Sequence, residues 1–264
     1  MEFNKVMVPV DGCYLSDVAV DIALHSANTF NSDLTFVYVV DPEQETGFGS
    51  VNIGLDIKKA EIKGSMVLEA VSKKADAVGC KYETVLSIGN AAKTLIEMTK
   101  QYNMAIMAIA GGSGLKSGRI GSTARKVIEN AFCPILTIKS GSIRIKDVLL
   151  PVSNENMAAI DIAIDTVKRI DGNLTVMSVR GKKVEDAESI ANKVAERCRS
   201  AGIEATTLVC EGDALDFIVA ESGKFDLIIM GVEKAGGLKQ ILHGGLTERV
   251  VTMASCPVTV VRDF

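Results

Sequence analysis

The sequence repeats itself, and this duplication limits the possible folds more than any other feature. A shift of 123 residues places Gly202 on Gly79 and Pro257 on Pro134, with no gap in between. The chain of 264 residues is also long enough for two domains of ordinary size. We therefore predict two copies of one fold. The predicted domains are residues 1–140 and 145–264.

The first copy is longer than the second because it carries an extra segment after Val40. Nearer the N-terminus the shift grows to 142 residues, where Pro151 falls on Pro9. The extra segment lies around 43–55 and contains three glycines. Glycine-rich insertions form surface loops, which often lie beside a ligand. We predict a long mobile loop at about 41–57.

Each copy alternates short apolar runs with segments whose apolar residues recur at helical spacing. The first run, Val6–Val10, is followed by helical spacing from Leu15 to Ala23. This alternation predicts an α/β fold, with two Rossmann-like domains that each have a five-stranded parallel sheet and helices on both faces. Such sheets bind ligands at the carboxyl ends of strands where the strand order reverses. Asp11 and Ala108 end the first and fourth strands and are the candidates.

Composition excludes several other classes of protein. The net charge is −4 with no basic tract, which argues against nucleic acid as a partner. No apolar run is long enough to span a membrane and no leader segment is present, so we expect a cytoplasmic protein. The six cysteines form no C-x-x-C pair and there are only two histidines, so we expect reduced thiols and no metal site.

A glycine-rich loop between the fourth strand and the next helix is the strongest functional signal. It reads AIAGGSGLKSGRIGS over 108–122. Gly111, Gly112 and Gly121 would let the backbone curl around phosphates, and the hydroxyls of Ser122 and Thr123 stand at the helix start. The loop is neither a P-loop nor a dinucleotide fingerprint, because it lacks both consensus orders. We infer an anion site of another type.

Asp11 has two possible roles. Its carboxylate could accept a hydrogen bond from a ribose hydroxyl or a base amino group. It could equally form the turn that leads into the following helix. We find no set of residues suited to bond-making, so no catalytic residue is assigned.

These motifs resemble those of the universal stress protein family, and the whole chain is similar to two such domains in tandem. Nucleotide-binding members have a glycine, two residues, a second glycine, nine residues and then Gly-Ser or Gly-Thr. An aspartate after the first strand and a valine in the second hold the nucleoside. The resemblance implies a cytoplasmic, often dimeric stress-response protein that binds ATP or AMP, with or without Mg²⁺, and hydrolyses it slowly or not at all.

The resemblance carries over to the first copy with one departure. Ala108 stands where the family has its first glycine. An alanine with positive φ there would cost about 1–2 kcal/mol, whereas a position that only needs a small side chain would tolerate it. The nucleotide-binding residues that the resemblance implies are Val10, Asp11, Val39, Ala108, Gly111, Gly112, Gly121, Ser122 and Thr123.

The second copy keeps less of the motif. Ser153 replaces the aspartate, Lys234 replaces the second glycine and Gly245 replaces the Ser/Thr. We therefore expect no nucleotide in the second domain. The residues that it does keep are Val179, Gly231 and Gly244.

Two alternative functions stay open from the sequence. One is a nucleotide-free scaffold or regulator of an unknown protein partner, and the other is a slow ATPase with Asp11 as its nearest carboxylate. The family resemblance also implies pairing of the last strands, Ile135–Ile138 and Val258–Val261. The two domains would then form an internal pseudo-dimer, and a homodimer is possible as well.

Overall fold

The structure, a computed structural model, divides the chain into two compact units. The residues that it describes are 3–45, 53–110, 120–139, 144–154, 157–181, 184, 186–232 and 245–262. The units comprise Glu2–Lys139 and Ser140–Phe264. The domain boundaries predicted above remain a prediction, because a compact unit is not by itself a domain that folds alone.

The first unit alternates strands and helices in the order that the sequence predicts, with one additional short helix. Its elements are β1 (Lys5–Pro9), α1 (Tyr14–Phe30), β2 (Asp33–Val40), α2 (Pro42–Glu45), α3 (Ile53–Val78), β3 (Tyr82–Ile88), α4 (Ala91–Met98), β4 (Met104–Ala108), α5 (Ser122–Asn130) and β5 (Ile135–Ile138).

The sheet of the first unit is parallel, with strand order β3-β2-β1-β4-β5. β1 pairs with β2 from Lys5 opposite Asp33 to Pro9 opposite Val37. The chain moves outward from β1 through β2 to β3, and then returns to the other side of β1 with β4. The strand order therefore reverses between β1 and β4, and the carboxyl ends of these strands flank the crevice where such sheets bind ligands.

Helices cover both faces of this sheet. α1 packs beside α3, and α4 packs beside α5. The side of α1 that faces the sheet buries Leu15, Ala19 and Ile22, as their helical spacing predicts. Because β1 is covered from both sides, Met7 and Val8 are completely buried.

The second unit repeats this arrangement. Its parallel strands run in the order β8-β7-β6-β9-β10. Across the described parts of both units, no helix combines the length and the apolar composition needed to cross a bilayer. The elements of the second unit are β6 (Asp147–Val152), α6 (Met157–Ile170), β7 (Asn173–Arg180), α7 (Ala187–Ser200), β8 (Ala205–Glu211), α8 (Ala214–Glu221), β9 (Leu227–Val232), α9 (Leu246–Met253) and β10 (Val258–Arg262).

The extra segment of the first unit is helical at both ends, which corrects the long loop predicted at 41–57. α2 occupies Pro42–Glu45 and α3 already begins at Ile53, while residues 46–52 lie outside the described part. A glycine in a helix costs about 1 kcal/mol relative to alanine, but packing of one face outweighs this cost. The buried face of α3 consists of Ala60, Gly64, Leu68, Val71 and Ala75.

Gly64 explains how α3 approaches the sheet so closely. A β-carbon at this position would lie 2.6 Å from Cδ1 of Tyr38 and 2.7 Å from Cδ1 of Leu86. In the second unit the corresponding positions hold Ala187 and Ser178, both fully buried. The larger helix residue there is matched by a smaller strand residue, so the two units fill the same space differently.

Candidate functional site

The carboxyl end of β1 leads into a tight turn at Asp11. Asp11 Oδ1 accepts a hydrogen bond from the Cys13 N–H (2.9 Å), and the Asp11 N–H donates to Ser16 Oγ (3.1 Å). Gly12, inside the turn, has the left-handed φ of 77° that glycine tolerates. Asp11 is exposed, and its Oδ2 has no hydrogen bond to any described residue. Asp11 therefore forms the turn and still has one oxygen for a ligand.

Cys13 caps α1 with its thiol. Its Sγ accepts from the Ser16 N–H (3.4 Å) and lies 3.8 Å from the carbonyl oxygen of Ala110, to which it donates. Burial, together with the neighbouring Asp11 carboxylate, raises the pKa of this thiol from 9.0 to about 11. The thiol is thus protonated at neutral pH and acts as a structural donor rather than a nucleophile.

Asp41, directly after β2, holds two helices to the end of that strand. It is only 4 % exposed. Its carboxylate accepts from the Glu43 N–H (3.1 Å), from Gln44 Nε2 (3.1 Å) and from the Ala91 N–H (2.9 Å). These three donors compensate the buried charge and fix the starts of α2 and α4 beside Val39.

Ala108 ends β4 without backbone strain. It pairs with Ile138 of β5, and among the described non-glycine residues only Asn31 and Asp171 have a positive φ. The cost of 1–2 kcal/mol considered above therefore does not arise, and the position only needs a small side chain. The two glycines that follow, Gly111 and Gly112, lie outside the described residues.

α5 begins at Ser122 with no side chain capping it. Gly121 occupies the N-cap with extended backbone, φ −63° and ψ 151°. The Gly121 N–H donates to the carbonyl of Ile109 (2.7 Å), so this group serves the fold and not a ligand. Among the described residues, no side chain accepts a hydrogen bond from the next N–H groups, those of Ser122 and Thr123. They are the groups that a bound anion would meet.

Among the α-helices whose N-cap the structure describes, one other helix besides α5 lacks a side-chain cap. Side chains cap α1, α4, α7 and α8. α9, which follows the second glycine-rich segment, is uncapped like α5 and has Gly245 at its N-cap. The two uncapped helices are thus those that the sequence places after the anion loops.

The ends of β1, β2 and β4 and the start of α5 meet at one cavity of about 470 Å³. This volume is within the range of small-molecule sites, roughly 300–1,000 Å³. All the site residues predicted from the sequence that the structure describes line it, namely Val10, Asp11, Val39, Ala108, Gly121, Ser122 and Thr123.

Several polar residues of the cavity were not predicted from the sequence. Asp41, Gln44 and Lys63 also line it. A single aspartate after a strand carries no motif, so nothing in the sequence singled out Asp41. Lys63 stands before Met66 and Val67, the first apolar positions by which the sequence indicates this helix, so no pattern singled it out either.

The second unit lacks several of these features. Ser153 follows β6 where Asp11 follows β1, and Gly181 stands in the place of Asp41. Val179 lies buried in β7 and Gly231 lies in β9. The altered position Lys234 and the kept Gly244 lie outside the described residues, whereas Gly245, which replaces the Ser/Thr, is the N-cap of α9.

Metal ligands are not clustered in the part of the chain that the structure describes. No three histidine, cysteine, aspartate or glutamate residues there lie close enough to hold an ion. The carboxylates among the described lining residues of the cavity are Asp11 and Asp41, and both already accept hydrogen bonds.

Comparison with known proteins gives one consistent result. The model of the universal stress protein family matches residues 2–139 and 180–262, which is most of the chain. Universal stress protein Rv2005c of Mycobacterium tuberculosis is 26 % identical over 298 residues, covering 98 % of this chain and 97 % of its own length. Universal stress protein MJ0531 of Methanocaldococcus jannaschii is 32 % identical over 145 residues, covering 52 % of this chain and 82 % of its own.

Solved structures resemble the chain over its whole length. A universal stress protein from Archaeoglobus fulgidus has a TM-score of 0.83 at 20 % identity and covers 99 % of both chains. One from Pseudomonas aeruginosa has a TM-score of 0.72 at 18 % identity, covering 98 % of this chain and 93 % of its own. At these identities the likeness establishes the α/β fold.

Proposed function

Because the chain belongs to the universal stress protein family, we propose that it binds an adenine nucleotide, ATP or AMP, and acts as a stress-response regulator rather than an enzyme. The nucleotide would occupy the first domain. One observation carries this proposal. The seven described residues that the nucleotide motif predicts come from distant parts of the sequence, and they line one cavity of about 470 Å³.

The nucleoside would be held at the β1 and β2 side of the cavity. Asp11 Oδ2 is exposed and has no partner among the described residues, so it can accept from a ribose hydroxyl or a base amino group. Val10 and Val39 add apolar walls to the same cavity. This combination of apolar walls with one acceptor is typical of small-molecule sites.

The phosphates would be held at the start of α5. The helix start, with its uncapped N–H groups, favours an anion by roughly 0.3–1 kcal/mol in exposed settings and by up to about 2 kcal/mol when partly buried. Several such contacts, added to those of the nucleoside, are compatible with micromolar affinity, about −8 kcal/mol. Ala108 leaves this approach open because it has a small side chain and an unstrained backbone.

We assign binding rather than turnover because neither carboxylate of the cavity suits a general base. Asp41 is buried and already accepts three hydrogen bonds, and Asp11 is assigned to the nucleoside rather than to the phosphates. Slow hydrolysis remains testable, because phosphate release with Mg²⁺ that disappears in the Asp11→Ala variant would overturn this assignment.

Replacing Asp11 with alanine is expected to weaken ATP and AMP binding roughly tenfold or more, since hydrogen bonds to a charged group contribute about 1.5–3 kcal/mol. Asp11 is exposed, and the substitution removes one hydrogen bond within the protein, the one from the Cys13 N–H. The variant should therefore stay folded. Isothermal titration calorimetry on the full chain measures both affinities, and circular dichroism checks the fold.

The second copy supplies the matched control. Ser153 occupies the position of Asp11 there, and Ser153→Ala should leave both affinities unchanged. If wild-type protein binds ATP and Asp11→Ala binds it equally well, the assigned position of the nucleoside is wrong.

A further inference from the structure

A second recess adjoins the candidate nucleotide cavity within the first unit. It has a volume of about 660 Å³ and lies between α1 and α3. Most of its lining residues on α3 are apolar, Met66 and Val67 among them. The two recesses meet along a shared set of residues, which are Val10, Gly12, Cys13, Ser16 and Lys63.

Lys63 is the cation of this shared set, and it has no partner among the described residues. No ion pair or hydrogen bond joins its ammonium group to any of them. The other charges of the adjoining recess are compensated, because Lys74 lies 2.6 Å from Asp17 and Lys59 lies 3.7 Å from Asp56. Within the described lining of both recesses, Lys63 thus leaves one positive charge uncompensated.

The segment that carries Lys63 is specific to the first unit. α7 begins at Ala187, which corresponds to Gly64, so residues 53–63 of α3 have no helical counterpart among the described residues of the second unit. Asp186 stands at the position of Lys63, and its Oδ1 caps α7 by accepting from the Ser189 N–H (3.1 Å). The second unit therefore has an aspartate at the position where the first unit has a lysine with no partner among the described residues.

We propose that Lys63 binds a phosphate group of the nucleotide and makes the site select phosphorylated adenosine over adenosine itself. This inference rests on the proposed function. Lys63 lines the same cavity as Ser122 and Thr123, whose N–H groups stand at the proposed phosphate end. A lysine ammonium on its flexible stem is a common phosphate partner. The helical extension of α3 would thus complete an anion site that the start of α5 begins.

The experiment compares three probes, ATP, AMP and adenosine, by calorimetry on the wild-type chain and on Lys63→Gln. The variant should bind ATP about tenfold more weakly. The affinity for AMP should fall less than that for ATP, and the affinity for adenosine should stay unchanged, because only the phosphates meet the lysine charge. ATP affinity should also depend less steeply on salt concentration in the variant than in the wild type.

Lys58→Gln is the matched control. Lys58 lies on the same helix, is exposed and lines neither recess, so the same loss of charge there should leave all three affinities unchanged. Circular dichroism and thermal melting verify that both variants are folded.

The outcomes separate this inference from the function on which it rests. If the wild type binds ATP and Lys63→Gln binds it equally well, the role of Lys63 is refuted and nucleotide binding stands. Equal losses for ATP and adenosine would show that Lys63 acts through the shape of the cavity, which also refutes its role in selection. If the wild type binds none of the three probes, the proposed function itself fails.

Discussion

Replacing Asp41 with alanine is expected to lower the free energy of unfolding by about 3 kcal/mol, because hydrogen bonds to a charged group contribute about 1.5–3 kcal/mol and buried donors left unpaired add a further penalty. The carboxylate is buried and accepts three hydrogen bonds, two of them from the backbone N–H groups of Glu43 and Ala91. Its loss would release the starts of α2 and α4 from the end of β2. Urea denaturation followed by circular dichroism measures the change.

Asn90→Ala is the control for this prediction. Asn90 caps the same helix, α4, but its side chain accepts only one hydrogen bond at that helix start, from the Lys93 N–H (3.2 Å). Loss of such a cap costs about 1 kcal/mol. If Asp41→Ala destabilises the protein no more than Asn90→Ala does, Asp41 is not the organising residue that its contacts indicate.

Replacing Ser122 with aspartate should have opposite effects on stability and on ligand affinity. A carboxylate in the first turn of a helix stabilises it by about 0.3–1 kcal/mol. The same carboxylate would repel the phosphates, and two unit charges about 5 Å apart repel by roughly 3 kcal/mol at an effective dielectric constant of 20. We therefore expect ATP affinity to fall about a hundredfold while the protein becomes at least as stable as the wild type.

The corresponding helix of the second unit provides the control. Leu246, the first residue of α9, is partly exposed, and Leu246→Asp places the same charge in the same helical position. ATP affinity should not change in this variant. Calorimetry with ATP, together with thermal melting, measures both effects. A stable Ser122→Asp protein that binds ATP normally would mean that α5 does not face the phosphates.

The sequence alone was enough to predict the strand and helix order, and the described residues that it singled out line one cavity at the carboxyl ends of the strands. Apolar runs such as β1 need burial on both sides, and this fixes a parallel sheet between helices. Because the sequence is duplicated, each strand or helix predicted in one copy could be compared with the matching segment of the other. The left-handed residues that end the helices show how closely the copies agree, with Gly79 at φ 71° and Gly202 at φ 82°.

Other features could not be predicted because they depend on tertiary contacts. The start of α3 was assigned to a loop because of the glycines in and before it, yet this helix is held by a buried face that begins only at Ala60. Asp41 carries no motif, and only the fold brings it to Ala91, fifty residues along the chain. The strain considered at Ala108 depended on a backbone angle that no sequence pattern reports.

Equilibrium dialysis of the wild-type full chain against labelled ATP, up to millimolar concentration, tests the central claim most directly. The claim is that one of the two copies, the first, binds adenine nucleotide. We expect saturation at one nucleotide per chain. No binding at millimolar ATP would contradict the claim and favour a nucleotide-free regulator, and saturation at two per chain would show that the second copy still binds.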